Sequence, residues 1–490
     1  MITVVPPPPP TPGQSGSRAF HHGLSLLHGW VPQVLLFVAV LLLVVAFARA
    51  SRRWWAVWVP VCAVAGLAAA WGAWAYMNDE GLASNPAPML LWVCIGVTVA
   101  ALVAAVAGLR SGALWQRVVA VLAVPVALLN ASVVLNQWVG YYPTVQSAWA
   151  AATAEPLPHQ TDPDELAALR NTDVGPGRIV PVDIPESGSD FRHRTEYVYL
   201  PPAWFEGAEP PALPVVMMIG GEFNTPADWV RSGQIMPAVD DFVAGNGGVA
   251  PVLVFVDAGG SFNNDTECVN GPRGDAADHL TRDVPDYLKS EFGVARDPAR
   301  WAAVGWSMGG TCAVDLAVMH PELLHTFVDI AGDAGPNSGS KEQSIRRLFG
   351  GDAQAWAAFD PATVMAKHGP YADTVGLFDD LTPPQRQGGY GRNRPTRTAV
   401  EDDSAGYGGR DAVYDSGEVG AAAALCEQGR RVAIDCTVYT TEGGHTWQFA
   451  AAAFTSAFPW LTERLGAVRA SATPSTRGAG EQSTPGRPPA

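Results

Sequence analysis

Hydrophobic positions follow two regimes along the 490 residues. In the first 140, four long runs near Val31–Ala48, Trp54–Met77, Met89–Leu109 and Val118–Trp138 contain no charged side chain. A helix crossing a bilayer needs about 20 apolar residues, so this pattern predicts four transmembrane helices over 30–139. Trp54, Trp55, Trp115 and Trp138 stand at the ends of the runs, where indole rings favour the headgroup layer. Buried helices of a soluble domain are the rival reading, and four in succession argue against it. A cleavable signal peptide fits poorly, because a proline-rich leader precedes the first run and three more runs follow it.

Beyond residue 178 the pattern changes. Short apolar runs at Val215–Ile219, Val252–Val256, Trp301–Val304, Thr326–Ile330, Thr374–Phe378 and Cys436–Thr440 read as buried strands. Asp278–Phe292, Thr311–Met319, Val419–Gln428 and Trp447–Leu465 read as helices between and after them. Such alternation predicts an α/β domain with a mostly parallel sheet flanked by helices. The expected organisation is a disordered leader (1–29), four transmembrane helices (30–139), a connector (140–177), one α/β domain (178–466) and a disordered tail (467–490).

Charge follows the same division. The chain carries −16 overall; residues 1–150 carry +4 and the remainder −20. An acidic outer part excludes nucleic acid as a natural partner, since phosphate binding needs basic patches. Arginines cluster between runs 1 and 2 (Arg49, Arg52, Arg53) and between runs 3 and 4 (Arg110, Arg117), whereas the loop between runs 2 and 3 has Asp79 and Glu80. The positive-inside rule then puts the arginine loops in the cytoplasm and the α/β domain outside, on a multi-pass plasma-membrane protein. No ionisable residue lies within a run, so the bundle reads as an anchor and not as an ion pathway.

The sharpest chemical signal is Gly305-Trp306-Ser307-Met308-Gly309-Gly310. The pattern G-x-S-x-G is weak alone, but here an apolar strand leads in and a helix leads out, the context of a nucleophile elbow. A serine hydroxyl needs a base. His445, in Gly443-Gly444-His445-Thr446-Trp447, follows a strand and precedes the last helix. His279, His325 and His368 read as surface residues, and His193 lies in an early strand region. The triad acid belongs between serine and histidine in chain order. Asp411 is the favoured candidate, with Asp380, Asp415 and Glu418 as alternatives. Oxyanion donors are expected at the Met308 amide and, after the strand Val215–Ile219, at the Gly221 amide.

These features together resemble the esterase D family of α/β hydrolases, which includes feruloyl esterases and the mycobacterial antigen 85 mycolyltransferases. The likeness spans roughly residues 180–465. Arg194–Pro202, the glycine pair Gly220-Gly221, Asp257-Ala258-Gly259-Gly260-Ser261, the helix Leu280–Phe292, the elbow and Gly-Gly-His-Thr-Trp carry it. It implies the α/β-hydrolase fold and serine catalysis. The acid's position in the esterase D branch supports Asp411; the mycolyltransferase branch, with a glutamate on the following helix, keeps Glu418 open. The insertion near 381–407 departs from the family's compact turn and is expected to form a lid. The four N-terminal runs look like those of membrane-anchored actinobacterial relatives.

Four cysteines fall in the outer domain, an even number that suits an oxidising compartment. Cys268–Cys312 and Cys426–Cys436 are the expected bridges, among three possible connectivities. Neither a metal-ligand spacing nor a phosphate loop occurs, so no cofactor is expected. The expected activity is a membrane-anchored serine esterase acting on an acyl-ester lipid or glycolipid. The alternatives are an acyltransferase delivering the chain to a sugar hydroxyl, a non-catalytic glycan- or partner-binding protein, and an assembly factor working through its helices.

Overall fold

The computed structural model describes residues 23–79, 87–109, 113–382, 418–442 and 444–468. Helices α1 (Trp30–Phe47), α2 (Trp54–Asp79), α3 (Met89–Gly108) and α4 (Leu114–Val139) are each long and apolar enough to cross a membrane. α1 packs on α4, α4 on α3, and α3 on α2. The bundle turns large apolar side chains outward, among them Phe37, Leu67, Trp71, Val106 and Leu129, which is the reverse of a water-soluble bundle. Between α2 and α3 the backbones nearly touch. A Cβ on Gly66 would lie 2.5 Å from the Gly96 carbonyl oxygen, the small-residue contact that packs helices in lipid.

The outer domain is built on an eight-stranded sheet. Its strands are β1 (Arg178–Val182), β2 (Glu196–Leu200), β3 (Val215–Ile219), β4 (Val252–Val256), β7 (Trp301–Trp306), β8 (Thr326–Ile330), β9 (Val375–Thr382) and β10 (Asp435–Glu442), in the order β1-β2-β4-β3-β7-β8-β9-β10. β5 (Asn270–Gly271) and β6 (Gly274–Asp275) pair separately. β1 and β2 pair antiparallel, as do β2 and β4, and every other neighbour is parallel. Side chains alternate between two cores. Val215, Met217 and Ile219 join one with helices α6 (Val284–Glu291), α7 (Met308–Met319) and α8 (Glu418–Arg431). Val216 and Met218 join the other with α5 (Met236–Gly245) and α9 (Trp447–Arg464). Because both faces are covered, the central strands are continuous apolar runs.

Several expectations are refined. The helix read over Asp278–Phe292 begins at Ala276 and passes through a π turn at His279–Asp283. His279, expected at the surface, is fully buried. The connector contains a short helix, Val145–Ala152, and a 3-10 segment, Pro163–Leu169. Cys268 is bonded to Cys312 and Cys426 to Cys436. Residues 383–417, which include most of the expected lid with Asp411 and Asp415, lie outside the described residues, as do the leader up to residue 22 and the tail after 468.

Candidate active site

Ser307 sits between the end of β7 and the start of α7, with φ +59° and ψ −125°. A non-glycine residue in that region is strained. The strain is held by the Ser307 amide donating to Ile330 O at 2.9 Å and by the Gly310 amide donating to Ser307 O at 2.7 Å. The flanking glycines make the turn sterically possible. A Cβ on Gly305 would lie 1.6 Å from Gly309 O, and one on Gly309 would lie 2.3 Å from Ile219 O. No side chain fits either place, so β7, α7 and β3 pack backbone to backbone around the serine. Met308 opens α7, whose N-terminal amides favour developing negative charge.

His445 follows β10 and is buried, with its ring against the Trp306 indole. Ser307 and His445 line one small cavity together with Val139, Tyr141, Gly221, Glu222, Phe223, Asn224, Trp306 and Trp447. Its volume is about 30 Å³, room for about one or two waters. The structure therefore brings together Ser307, His445 and Gly221. The Gly221 amide, however, donates to Asn224 Oδ1 at 2.7 Å. That expected oxyanion donor is engaged inside its own turn in this conformation, which brings the neighbouring Glu222 amide into consideration.

The candidate acids lie apart in kind. Asp380 and its neighbour Asp379 are buried on β9, in register with Thr440 and Tyr439 of β10. Asp379 accepts a hydrogen bond from Thr441 Oγ1 at 3.2 Å, and burial pushes its carboxyl up to about 6. Glu418 is the first residue of α8.

Sequence reasoning missed a buried polar group behind the sheet edge. Glu196 accepts from His279 Nε2 at 3.1 Å and from the Asp257 amide at 2.8 Å, and His193 lies 3.6 Å away. The ligand atoms of His193, Glu196 and His279 are close enough to surround a metal ion. Both nitrogens of His193 already face carbonyls, however, Arg194 O at 2.9 Å and Ile184 O at 2.7 Å. Carbonyls only accept, so this placement favours hydrogen on both nitrogens, a form with no lone pair for a metal. The donor set fits an ionic brace better than a metal centre. Tyr141, at the end of α4, and Asn224 were missed as well; the only signals were a tyrosine pair after an apolar run and an asparagine near a glycine pair.

A nucleophile elbow at the carboxyl end of a parallel sheet, with a buried histidine in the same cavity, defines an α/β hydrolase. Residues 189–374 match the family model described as "Putative esterase". An uncharacterized protein of Corynebacterium glutamicum is 27% identical over 391 residues, covering 78% of this chain and 83% of its own length. The MPT51 antigen of Mycobacterium leprae is 30% identical over 153 residues, 28% of this chain and 48% of that protein. Among solved structures, an S-formylglutathione hydrolase from Agrobacterium tumefaciens aligns with 59% of this chain and 95% of its own, at 19% identity and a TM-score of 0.42. Over residues 189–374 the outer domain is thus similar to esterases, and its likeness to the MPT51 antigen points to esterase D and antigen 85-like proteins.

Proposed function

We propose that this protein is a multi-pass, membrane-anchored serine esterase whose catalytic domain faces the extracytoplasmic side and acts on acyl esters of the cell envelope. The single observation that carries the chemistry is Ser307, strained at an elbow, in one cavity with the buried His445. Ser307 Oγ attacks the ester carbonyl while His445 takes its proton; the histidine then returns that proton to the leaving alkoxide, and an acyl-serine remains. Water activated by His445 releases the acid and restores Ser307. The Met308 amide and the amides of the Gly221–Glu222 turn are the proposed donors to the oxyanion. Asp411 is the proposed acid, with Asp380, Asp415 and Glu418 as the other carboxyls to compare.

Orientation is supported from two sides. The outer domain touches the bundle through Asn263 on Tyr76, Arg347 on Asp79 and Gln448 on Gly140. These contacts lie at the C-terminal ends of α2 and α4, whereas Arg49, Arg52 and Arg53 lie between α1 and α2, before the start of α2.

Fluorophosphonate labelling of the full-length protein in detergent tests the reading. Labelling of the wild type that disappears in Ser307→Ala and His445→Ala is expected. A folded wild type that stays unlabelled would move the non-catalytic binding reading to the front. Recovery of the acyl group on an added sugar instead of as free acid would identify an acyltransferase.

A further inference from the structure

We infer that the end of the fourth apolar helix holds the oxyanion side of the Ser307 pocket in register, with Tyr141 as its positioning residue. The inference rests on reading Ser307 as a nucleophile. A run of hydrogen bonds links the two places. The Tyr141 hydroxyl donates to Asp228 Oδ2 at 2.5 Å. Asp228 is itself fixed by the Thr225 amide at 2.6 Å, the Thr225 hydroxyl at 2.8 Å and the Ser232 hydroxyl at 3.2 Å. The Tyr141 hydroxyl also lies 3.4 Å from the Phe223 carbonyl of the Gly221–Asn224 turn, and within that turn Asn224 Oδ1 accepts from the Gly221 amide at 2.7 Å. From within the domain, Arg194 pins the same turn. Its guanidinium donates to Asn224 O at 2.9 Å while paired with Asp257 at 2.5 Å. The Gly221–Asn224 turn is thus gripped from both sides, and one grip comes from the anchor.

The other wall of the pocket is touched from the same place. Gly140 ends α4 in the left-handed region, φ +66°, and its carbonyl accepts from Gln448 Nε2 at 3.2 Å. A Cβ there would stand 2.7 Å from Thr446 Cβ, so α4 abuts the segment that immediately follows His445. Val139, the last residue of α4, lines the cavity itself. Val139, Gly140 and Tyr141 therefore meet the oxyanion turn on one side and the histidine segment on the other. A shift of α4 would misalign both, and misplacements of about 1 Å can cost about a hundredfold in rate.

The test uses the full chain in detergent micelles, a short soluble p-nitrophenyl ester and a fluorophosphonate probe. Tyr141→Phe keeps the ring and deletes the hydroxyl. Its kcat and its labelling rate should fall about tenfold, with KM within about twofold of wild type and an unchanged melting temperature. Asn224→Ala, which removes the acceptor that holds the Gly221 amide in the same turn, should behave alike and stands in if Tyr141→Phe does not fold. Wild-type kcat in either folded variant overturns the inference, as does a rise in KM alone, which would make Tyr141 only a wall. A wild type that neither labels nor turns over would instead overturn the esterase reading, and the inference with it.

Discussion

The Trp306 indole and the His445 imidazole lie with ring centres 4.0 Å apart and planes inclined by 32°. The residue before the nucleophile thus fixes the ring of its proposed base. An aromatic face also attracts the imidazolium formed when Ser307 loses its proton, by about 1–2 kcal/mol when desolvated. Trp306→Leu should therefore lower kcat about tenfold, and Trp306→Phe much less. Equal kcat in all three proteins would remove the tryptophan from the mechanism.

The elbow glycines tolerate nothing larger. A methyl group on Gly309 would meet Ile219 O at 2.3 Å and Gly220 O at 2.7 Å, so Gly309→Ala must push β3 away from α7. A loss of more than about 3 kcal/mol is expected from such a backbone collision. Urea unfolding of the purified variant measures it, and a midpoint equal to wild type would refute the packing described.

The two disulfides should differ in weight. Cys268–Cys312 closes a loop with a sequence separation of 44, and Cys426–Cys436 one of 10. Chain entropy then assigns about 4 kcal/mol to the first and about 3 kcal/mol to the second. Cys312 also lies on α7, one turn beyond Ser307, so its bridge braces the elbow helix. Paired serine substitutions followed by thermal unfolding should show the larger loss for the first bridge and a lower fluorophosphonate labelling rate in that variant alone.

Burial holds the Asp379 carboxyl at about 6, above the unfolded value of 3.8. A group raised in the fold contributes stability at pH below its unfolded value, and that contribution is lost as pH rises through the folded one. Asp379→Asn mimics the protonated form. It should raise the melting temperature by a few degrees at about pH 8 and leave it nearly unchanged at about pH 4. A variant less stable at the higher pH would show that the ionised carboxylate is needed there.

His193 gives the complementary case. Burial opposes its charge, but Glu196, the Arg194 and Ile184 carbonyls and Asp183 outweigh it, and its pKa is raised. Its stabilisation is complete below about 6.5 and disappears as pH climbs through the folded value. His193→Gln should lower the melting temperature more at about pH 6 than at about pH 9. Equal losses at both would make the brace a neutral hydrogen-bond network.

The central strands were legible because they are buried on both faces, leaving uninterrupted runs such as Val215–Ile219. β1 was not, since Pro181 breaks its run and it pairs only at the sheet edge. Ser307 and His445 were legible because glycines and adjoining elements mark them locally. Tyr141 and Asp228 are 87 positions apart, and Glu196 and His279 are 83 apart. No periodicity encodes such meetings; only the fold brings them together. His279 was misread for the same reason, as a polar residue on a helical stretch whose partner, Glu196, lies on β2.

The contact between Gly140, Tyr141 and the walls of the Ser307 cavity sets a height. On the proposed anchoring, the nucleophile cannot rise or sink relative to the bilayer without breaking the bonds that shape its own pocket. An ester meets this serine in a thin layer at one level, where its abundance is counted per unit area of membrane and not per unit volume. Dilution of the substrate by inert lipid would then slow turnover even at constant bulk concentration, a dependence that a hydrolase acting on a dissolved ester would not have.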